Sequence, residues 1–261
     1  MVEEHFASLG ARRVRYLEVG NGWPVVLLHA FPMTADLWRA QLEHAPDGWR
    51  FIAPDVTVQP GAESIDQMAA DVLQLADQIE IERAVIGGIS MGGYVTLAAY
   101  RRAPERFSGM VLANTRATAD TPEVRQGRDR LIALARDGGA SAIAAEMLPK
   151  LVGATSVRER PDVLDRVRAI AESNSGETLA GALAAMKARP DASDILERIS
   201  CATLVIAADE DVVTPPAEVE RMQQRIPRSR LVVLRGAGHL SNLDAPDDFS
   251  RALTDFLTSR M

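Results

Sequence analysis

The run Gly87-Gly88-Ile89-Ser90-Met91-Gly92-Gly93-Tyr94 decides how the rest of the chain is read. Four glycines flank one serine, directly after the apolar run Ala84-Val85-Ile86. Glycine inside a strand or helix costs about 0.5–1 kcal/mol relative to alanine, so four of them point to a bend too tight for side chains. Gly88-Ile89-Ser90-Met91-Gly92 fits G-x-S-x-G, and it lies between a strand-like run and a helical pattern over 91–103. In that setting the serine sits on a strained strand-to-helix turn with its hydroxyl raised above the sheet edge. Gly88 and Gly92 stand where strand and helix approach too closely for a Cβ, and Gly93 lets the helix pack against its neighbours. A helix start carries unpaired N–H groups and the positive end of the dipole, which makes the Met91 N–H a candidate oxyanion donor. A phosphate loop would need G-x-G-x-x-G or G-K-[ST], and neither occurs.

Outward from this turn, short apolar runs alternate with helical stretches through residues 1–118. "RRVRYLEVG" and "PVVLLHAF" read as two strands joined at Gly20-Asn21-Gly22, "RFIAPDV" as a third, "RAVIGGIS" and "GMVLANT" as two more. Ile65, Met68, Ala69, Val72, Leu75, Ala76 and Ile79 form one stripe of a helix over 64–79. Buried runs separated by helices predict a mainly parallel sheet covered on both faces. From 119 to 199 the strand signal stops. Thr121-Pro122-Glu123 is a helix start, and Ile143/Met147, Val163/Val167/Ile170 and Leu179/Leu183/Met186 follow helical spacing. Residues 119–199 therefore read as an inserted helical cap, with 1–118 and 200–261 forming the core. Residues 116–198 carry 13 Lys+Arg and 13 Asp+Glu, so the net charge of -7 resides in the rest of the chain. "ATLVIAA" and "SRLVVLRG" are further strands, Thr214-Pro215-Pro216 opens a helix, and 246–258 is the closing helix.

The bulk properties narrow the function. A length of 261 residues suits one α/β core with an insertion. The acidic balance argues against a nucleic-acid groove or an anionic membrane as main partner. One cysteine, Cys201, permits no intrachain disulfide and no cysteine zinc site, and reads as a small buried residue near a strand start. No metal or cofactor is expected. Early acids and the lack of an apolar block at the N-terminus speak against a signal peptide, and no apolar stretch is long enough to span a membrane. A cytoplasmic location is the expectation.

A serine hydroxyl needs a base, and the base needs an orienting group. Of four histidines, His5 and His44 read as surface residues and His29 ends a strand. His239, in "RGAGHLSNLDAP", occupies a glycine-hinged loop between the last strand and last helix, on the edge expected for Ser90. The preceding strand leads into "AADEDVVTPP", which offers Asp209, Glu210 and Asp211. Asp211 is preferred for its place four residues before Pro215, with Asp209 as the alternative. Ser90, Asp211 and His239 then fall in the chain order serine, acid, histidine.

These segments together resemble the α/β-hydrolase family from about residue 23 to residue 257. "LLHAFPMTADLW" resembles its H-G-x-P…W segment, "GISMGG" its nucleophile elbow, "LVIAADEDVVTPP" its acid loop and "GAGHLSNLDAPDDF" its histidine loop. The resemblance implies an eight-stranded, mostly parallel sheet with a cap. It also implies a second oxyanion N–H from Phe31, with His29 bracing that loop. Small capped bacterial carboxylesterases and 3-oxoadipate enol-lactonases are the branches it is most similar to. Two departures stand out: Ala30 replaces a usual glycine, and "PDVTVQPGAES" lacks the arginine of an Asp-x-Arg-Gly-x-Gly loop and has only Gly61.

No Phe, Trp or Tyr lies between Phe107 and Phe249, so the cap is aliphatic and suits acyl chains better than stacked rings. Met91, Phe31 and Trp38 are pocket candidates, although Trp38 also fits a helix-packing role. The first functional expectation is serine hydrolysis of small carboxylic esters, with water as acyl acceptor. The second is an anionic lactone, with Arg116 as candidate recognition residue; its alternative is a solvated surface charge. Perhydrolase or haloperoxidase-like activity on the same residues is a third. A binding protein without turnover fits poorly, since a strained elbow without catalysis has no evident benefit. Haloalkane dehalogenation wants a carboxylate where Ser90 stands.

Overall fold

The computed structural model describes residues 1–10, 12–58 and 63–259. Gly61, and with it the middle of the loop that departs from the family pattern, lies outside the described residues. Among the described residues, eight strands form one sheet: β1 (Glu3–Leu9), β2 (Arg12–Gly20), β3 (Trp23–Leu28), β4 (Trp49–Pro54), β5 (Ala84–Ile89), β6 (Phe107–Ala113), β7 (Thr203–Ala208) and β8 (Ser229–Leu234). Their order is β1-β2-β4-β3-β5-β6-β7-β8. The β1–β2 and β2–β4 pairs are antiparallel and every later pair is parallel. β5 and β7 are buried along their whole length, as strands covered on both faces must be.

One strand at the N-terminus adds to those read from the sequence. β1 was not anticipated, because "EEHFASL" alternates too many polar side chains to stand out; it pairs with β2 residue for residue after the positive-φ Gly10. The two strands read on either side of Gly20-Asn21-Gly22 are β2 and β3, and they do not pair with each other. β4 lies between them in the sheet, and a Cβ on Gly22 would fall 2.6 Å from the Gly48 carbonyl carbon. The Trp23 N–H then closes onto the Gly48 carbonyl at 3.0 Å.

The helices are α1 (Arg39–Glu43), α2 (Ile65–Gln78), α3 (Met91–Arg102), α4 (Pro122–Leu151), α5 (Ala154–Glu159), α6 (Pro161–Glu172), α7 (Gly176–Ala188), α8 (Pro216–Gln223), α9 (Ser241–Asp244) and α10 (Pro246–Thr258). Two apolar clusters cover the two faces of the sheet. α2 and α3 contribute Met68, Val72, Leu75, Val95 and Leu97 to one, while α10 contributes Phe249, Leu253 and Phe256 to the other. Trp38 belongs to the second cluster, fully buried, with its ring 5.7 Å from that of Phe249. Its assignment as a substrate contact is therefore corrected: the indole has no surface to offer a ligand. Met91, 1% exposed, is likewise core rather than pocket. Cys201 is half-buried ahead of β7 and packs against the first cluster.

Between β6 and β7 the chain leaves the sheet for α4–α7 and a 3₁₀ turn at Ser193–Arg198. Thr121 caps α4 by accepting the Val124 N–H, with Pro122 in the first turn. α4 is two helical pieces, broken where Gly139 takes φ 68° and ψ -163°. Entry and exit of this excursion are tied together. Arg189, 4% exposed, donates to the Asp120 carboxylate at 2.6 Å and to the Thr118 carbonyl at 2.8 Å, and its guanidinium lies 4.0 Å over the Tyr94 ring. Arg128 of α4 binds the same carboxylate, and the Ala192 N–H bonds the Ala117 carbonyl at 2.8 Å. No helix among the described residues is long and apolar enough to cross a membrane.

Candidate active site

Parallel strands send their C-terminal ends to one edge, where α/β proteins bind ligands. Ser90 follows β5, Asn114 follows β6, Asp211 follows β7 and His239 follows β8, all at that edge. Ser90 has φ 55° and ψ -114°, a backbone conformation that costs a non-glycine residue about 1–3 kcal/mol. Its surroundings hold it there. A Cβ on Gly88 would fall 2.7 Å from the Gly92 Cα, and one on Gly92 would fall 2.6 Å from the Leu28 carbonyl carbon. The elbow is thus wedged against the end of β3 and tolerates only hydrogen at these positions. Gly93 packs its backbone onto Thr115, whose hydroxyl donates to the Ser90 carbonyl at 2.8 Å.

The Ser90 hydroxyl donates to His239 Nε2 at 2.7 Å, and His239 Nδ1–H reaches the Asp211 carboxylate at 2.9 and 3.0 Å. A carboxylate only accepts hydrogen bonds, which places the proton on Nδ1 and leaves Nε2 as the acceptor facing serine. His239 is 1% exposed, whereas Ser90 keeps 8% of its surface. Of the three residues, Ser90 keeps the largest exposed fraction.

Asp211 is the residue chosen from the acid loop, and its neighbours face elsewhere. Asp209 accepts the Gly236 N–H at 2.7 Å, and Glu210 accepts the Thr155 N–H and hydroxyl at 2.8 and 2.6 Å. Asp211 additionally accepts the N–H groups of Val213 and Thr214 at 2.8 and 2.9 Å and the Asn114 side-chain amide at 2.9 Å. Burial works against its charge, but His239 and these donors together hold its carboxyl below the usual range. Asn114 was not picked out from the sequence. It is fully buried, takes φ 46°, and accepts the Ser241 hydroxyl at 2.6 Å while serving Asp211. Asn tolerates that left-handed backbone better than most residues, which was the one available signal.

His29, buried at the end of β3, donates from Nδ1 to the Ala30 carbonyl at 2.9 Å and accepts the Val56 N–H on Nε2 at 2.8 Å. Burial pushes its pKa down, consistent with a neutral ring that joins residues 29–33 to the segment after β4. Among the described non-glycine residues positive φ is confined to Glu80, Ser90 and Asn114, so Ala30 fits its position unstrained. The Met91 N–H is the first of α3 and has no intrahelical acceptor. Phe31 follows in the same loop as His29, 6% exposed.

Arg116 is neither a solvated charge nor an unengaged anion receptor. It pairs with Glu218 at 3.0 Å and donates to the Val213 carbonyl at 3.0 Å. It borders a groove of about 680 Å³ with an aliphatic lining of Val124, Leu131, Leu134, Met147, Val212 and Val213 and a rim that includes Arg130 and Lys150. The groove reaches the residues after Asp211 rather than Ser90 itself. Among the described residues no cluster of His, Cys, Asp and Glu could hold a metal ion.

Known proteins resemble this chain over most of its length. The α/β-hydrolase fold family matches residues 24–246. An esterase from Thermogutta terrifontis, solved with malate bound, superposes with a TM-score of 0.94 at 34% identity over 99% of both chains. The enol-lactonase from Burkholderia xenovorans LB400 superposes with a TM-score of 0.89 at 29% identity, over 97% of this chain and 100% of that one. A 3-oxoadipate enol-lactonase from Acinetobacter baylyi is 30% identical over 223 residues, 83% of this chain and 82% of the relative. With the family match, the sheet order and the turn at Ser90 in accord, the chain belongs to the α/β-hydrolase fold family.

Proposed function

We propose that this protein is a serine hydrolase that cleaves small carboxylic esters through an acyl-enzyme on Ser90. The observation that carries the reading is the continuous hydrogen-bonded path from the Ser90 hydroxyl through His239 to Asp211. His239 Nε2 takes the serine proton as Oγ attacks the ester carbonyl, and later returns it to the leaving alcohol. Asp211 fixes the tautomer and stabilises the imidazolium that forms. The N–H groups of Met91 and Phe31 receive the oxyanion, a contribution worth about 10²–10³ in rate per donor. Water then attacks the acyl carbonyl as His239 takes its proton, and His239 passes that proton to Ser90 Oγ as the acid leaves. The helical excursion over 119–199 acts as a cap, and its aliphatic side chains suit an acyl chain better than stacked rings.

The test is turnover of p-nitrophenyl acetate by wild type and Ser90→Ala, both checked for folding. Ser90→Ala is expected to abolish turnover, and wild-type activity in that variant would remove Ser90 from the mechanism. A lactone is a cyclic ester and fits the same steps. The named enol-lactonases among the relatives favour including one. Faster cleavage of an anionic enol-lactone than of neutral esters across a chain-length panel would shift the assignment to that substrate.

A further inference from the structure

We propose that Asp244 is a positioning residue for His239, clamping the histidine loop onto the Leu151–Gly153 bend of the helical insertion; this rests on the reading of Ser90 and His239 as the reacting pair. His239 is held through both of its chain neighbours. The Leu240 N–H bonds the Leu151 carbonyl directly at 2.8 Å. The Gly238 N–H bonds Asp244 Oδ2 at 2.7 Å, and the same oxygen accepts the Gly153 N–H at 2.8 Å. One carboxylate oxygen thus joins the loop that carries the imidazole to the segment that links α4 and α5.

The two segments are packed as tightly as backbones allow. A Cβ on Gly153 would lie 2.7 Å from the Gly238 nitrogen, and one on Gly238 would lie 2.7 Å from the Val152 carbonyl carbon. Asp244 is itself fixed from the insertion. Arg160 donates to its backbone carbonyl at 3.0 Å, and the buried Ser156 hydroxyl faces its carboxylate. None of these contacts touches the reacting atoms, so the effect reaches catalysis only through the placement of His239. That placement must satisfy Ser90 at 2.7 Å and Asp211 at 2.9 Å together. A shift of about 1 Å in such a group costs on the order of 10²-fold in rate.

The experiment measures kcat and KM for p-nitrophenyl acetate, the kcat/KM dependence on pH and the unfolding midpoint in Asp244→Ala, Asp244→Asn and Gly153→Ala, beside wild type and Ser90→Ala. Asp244→Ala is expected to lower kcat about 10–100-fold, leave KM within about threefold and move the acid-side midpoint of the pH dependence. Asp244→Asn is expected to restore kcat to within about threefold, since one amide oxygen accepts both N–H groups. Gly153→Ala wedges the segments apart from the other side and should reproduce the kcat loss, which decides the matter if Asp244→Ala does not fold. Wild-type kcat and midpoint in folded Asp244→Ala or Gly153→Ala would overturn the clamp, as would Asp244→Asn being as slow as Asp244→Ala. Turnover by Ser90→Ala at the wild-type level would instead overturn the reading of the site. An inert Ser90→Ala beside a fully active Asp244→Ala would sink the clamp alone.

Discussion

Two buried aspartates hold the histidine loop, one through the ring and one through the backbone, and the protein treats them differently. Asp211 faces the imidazole and collects two backbone N–H groups and the Asn114 amide, which keep it ionised despite burial. Asp244 faces backbone on two segments; burial pushes its carboxyl up, and the Gly153 and Gly238 N–H groups, Ser156 and Arg160 offset only part of that. The first site needs a charge at a defined place. The second needs only an acceptor of the right shape. A buried carboxylate is costly without such partners, so the partner set tells which property the site uses.

The largest break in the comparison is expected from Asp211→Asn. The amide would donate toward His239 Nδ1, force the other tautomer and present an N–H to Ser90, with a loss of about 10⁴ in kcat on p-nitrophenyl acetate. The same change at Asp244 should leave kcat within a few-fold, and equal losses at both positions would erase the distinction. Next in size is Arg189→Met, which strips a buried partner from a third carboxylate, Asp120. Breaking a buried pair costs about 3–5 kcal/mol, read as a lower unfolding midpoint in denaturant. Asn114→Ala comes third. Removing a donor to an ionised group costs about 1.5–3 kcal/mol of stability, and Ser241 also loses its acceptor. A fall of about tenfold in kcat with KM retained would fit a loosened Asp211.

The smallest effect carries the clearest sign. Burial raises the pKa of Asp244, so the ionised form is disfavoured in the fold, and this penalty is present above the folded pKa and fades as pH falls through it. Asp244→Asn should therefore show an unchanged or slightly higher melting temperature at pH 7, with the gap to wild type closing toward acid. Asp120 has the opposite sign: burial opposes its charge, but Arg128 and Arg189 hold its carboxyl down. Its stabilisation is present above the unfolded value of about 4 and is lost as pH falls through the depressed folded value. Melting temperature against pH for Asp120→Asn should then meet wild type only at the acid end.

What could be read in the amino-acid sequence was whatever local chemistry dictates. The glycines around Ser90 announce the elbow because only a missing Cβ fits beside Gly92 and Leu28. The apolar runs of β5 and β7 announce buried parallel strands. Thr121 and Pro122 announce the start of α4. Where the signal failed, the deciding contact was remote. The turn between β2 and β3 is legible, but nothing local says that β4 occupies the space between them. Asn114 and Asp244 are ordinary polar residues until folding brings them to Asp211 and Gly153. Arg116 reads as a candidate recognition residue or a solvated charge, and Glu218, far along the chain, engages it.

The ion group at Asp120, Arg128 and Arg189 has a further meaning for how such proteins diversify. An excursion whose first and last residues are fastened at one spot on Tyr94 can change its length or content without pulling on β6 or β7. Exchange of the intervening helices between relatives is thus mechanically decoupled at the root. The Leu151–Ser156 contact with the two loops that carry Asp211 and His239, the Arg160 bond to the Asp244 carbonyl and the Asn174 amide on the Pro32 carbonyl would have to be carried along.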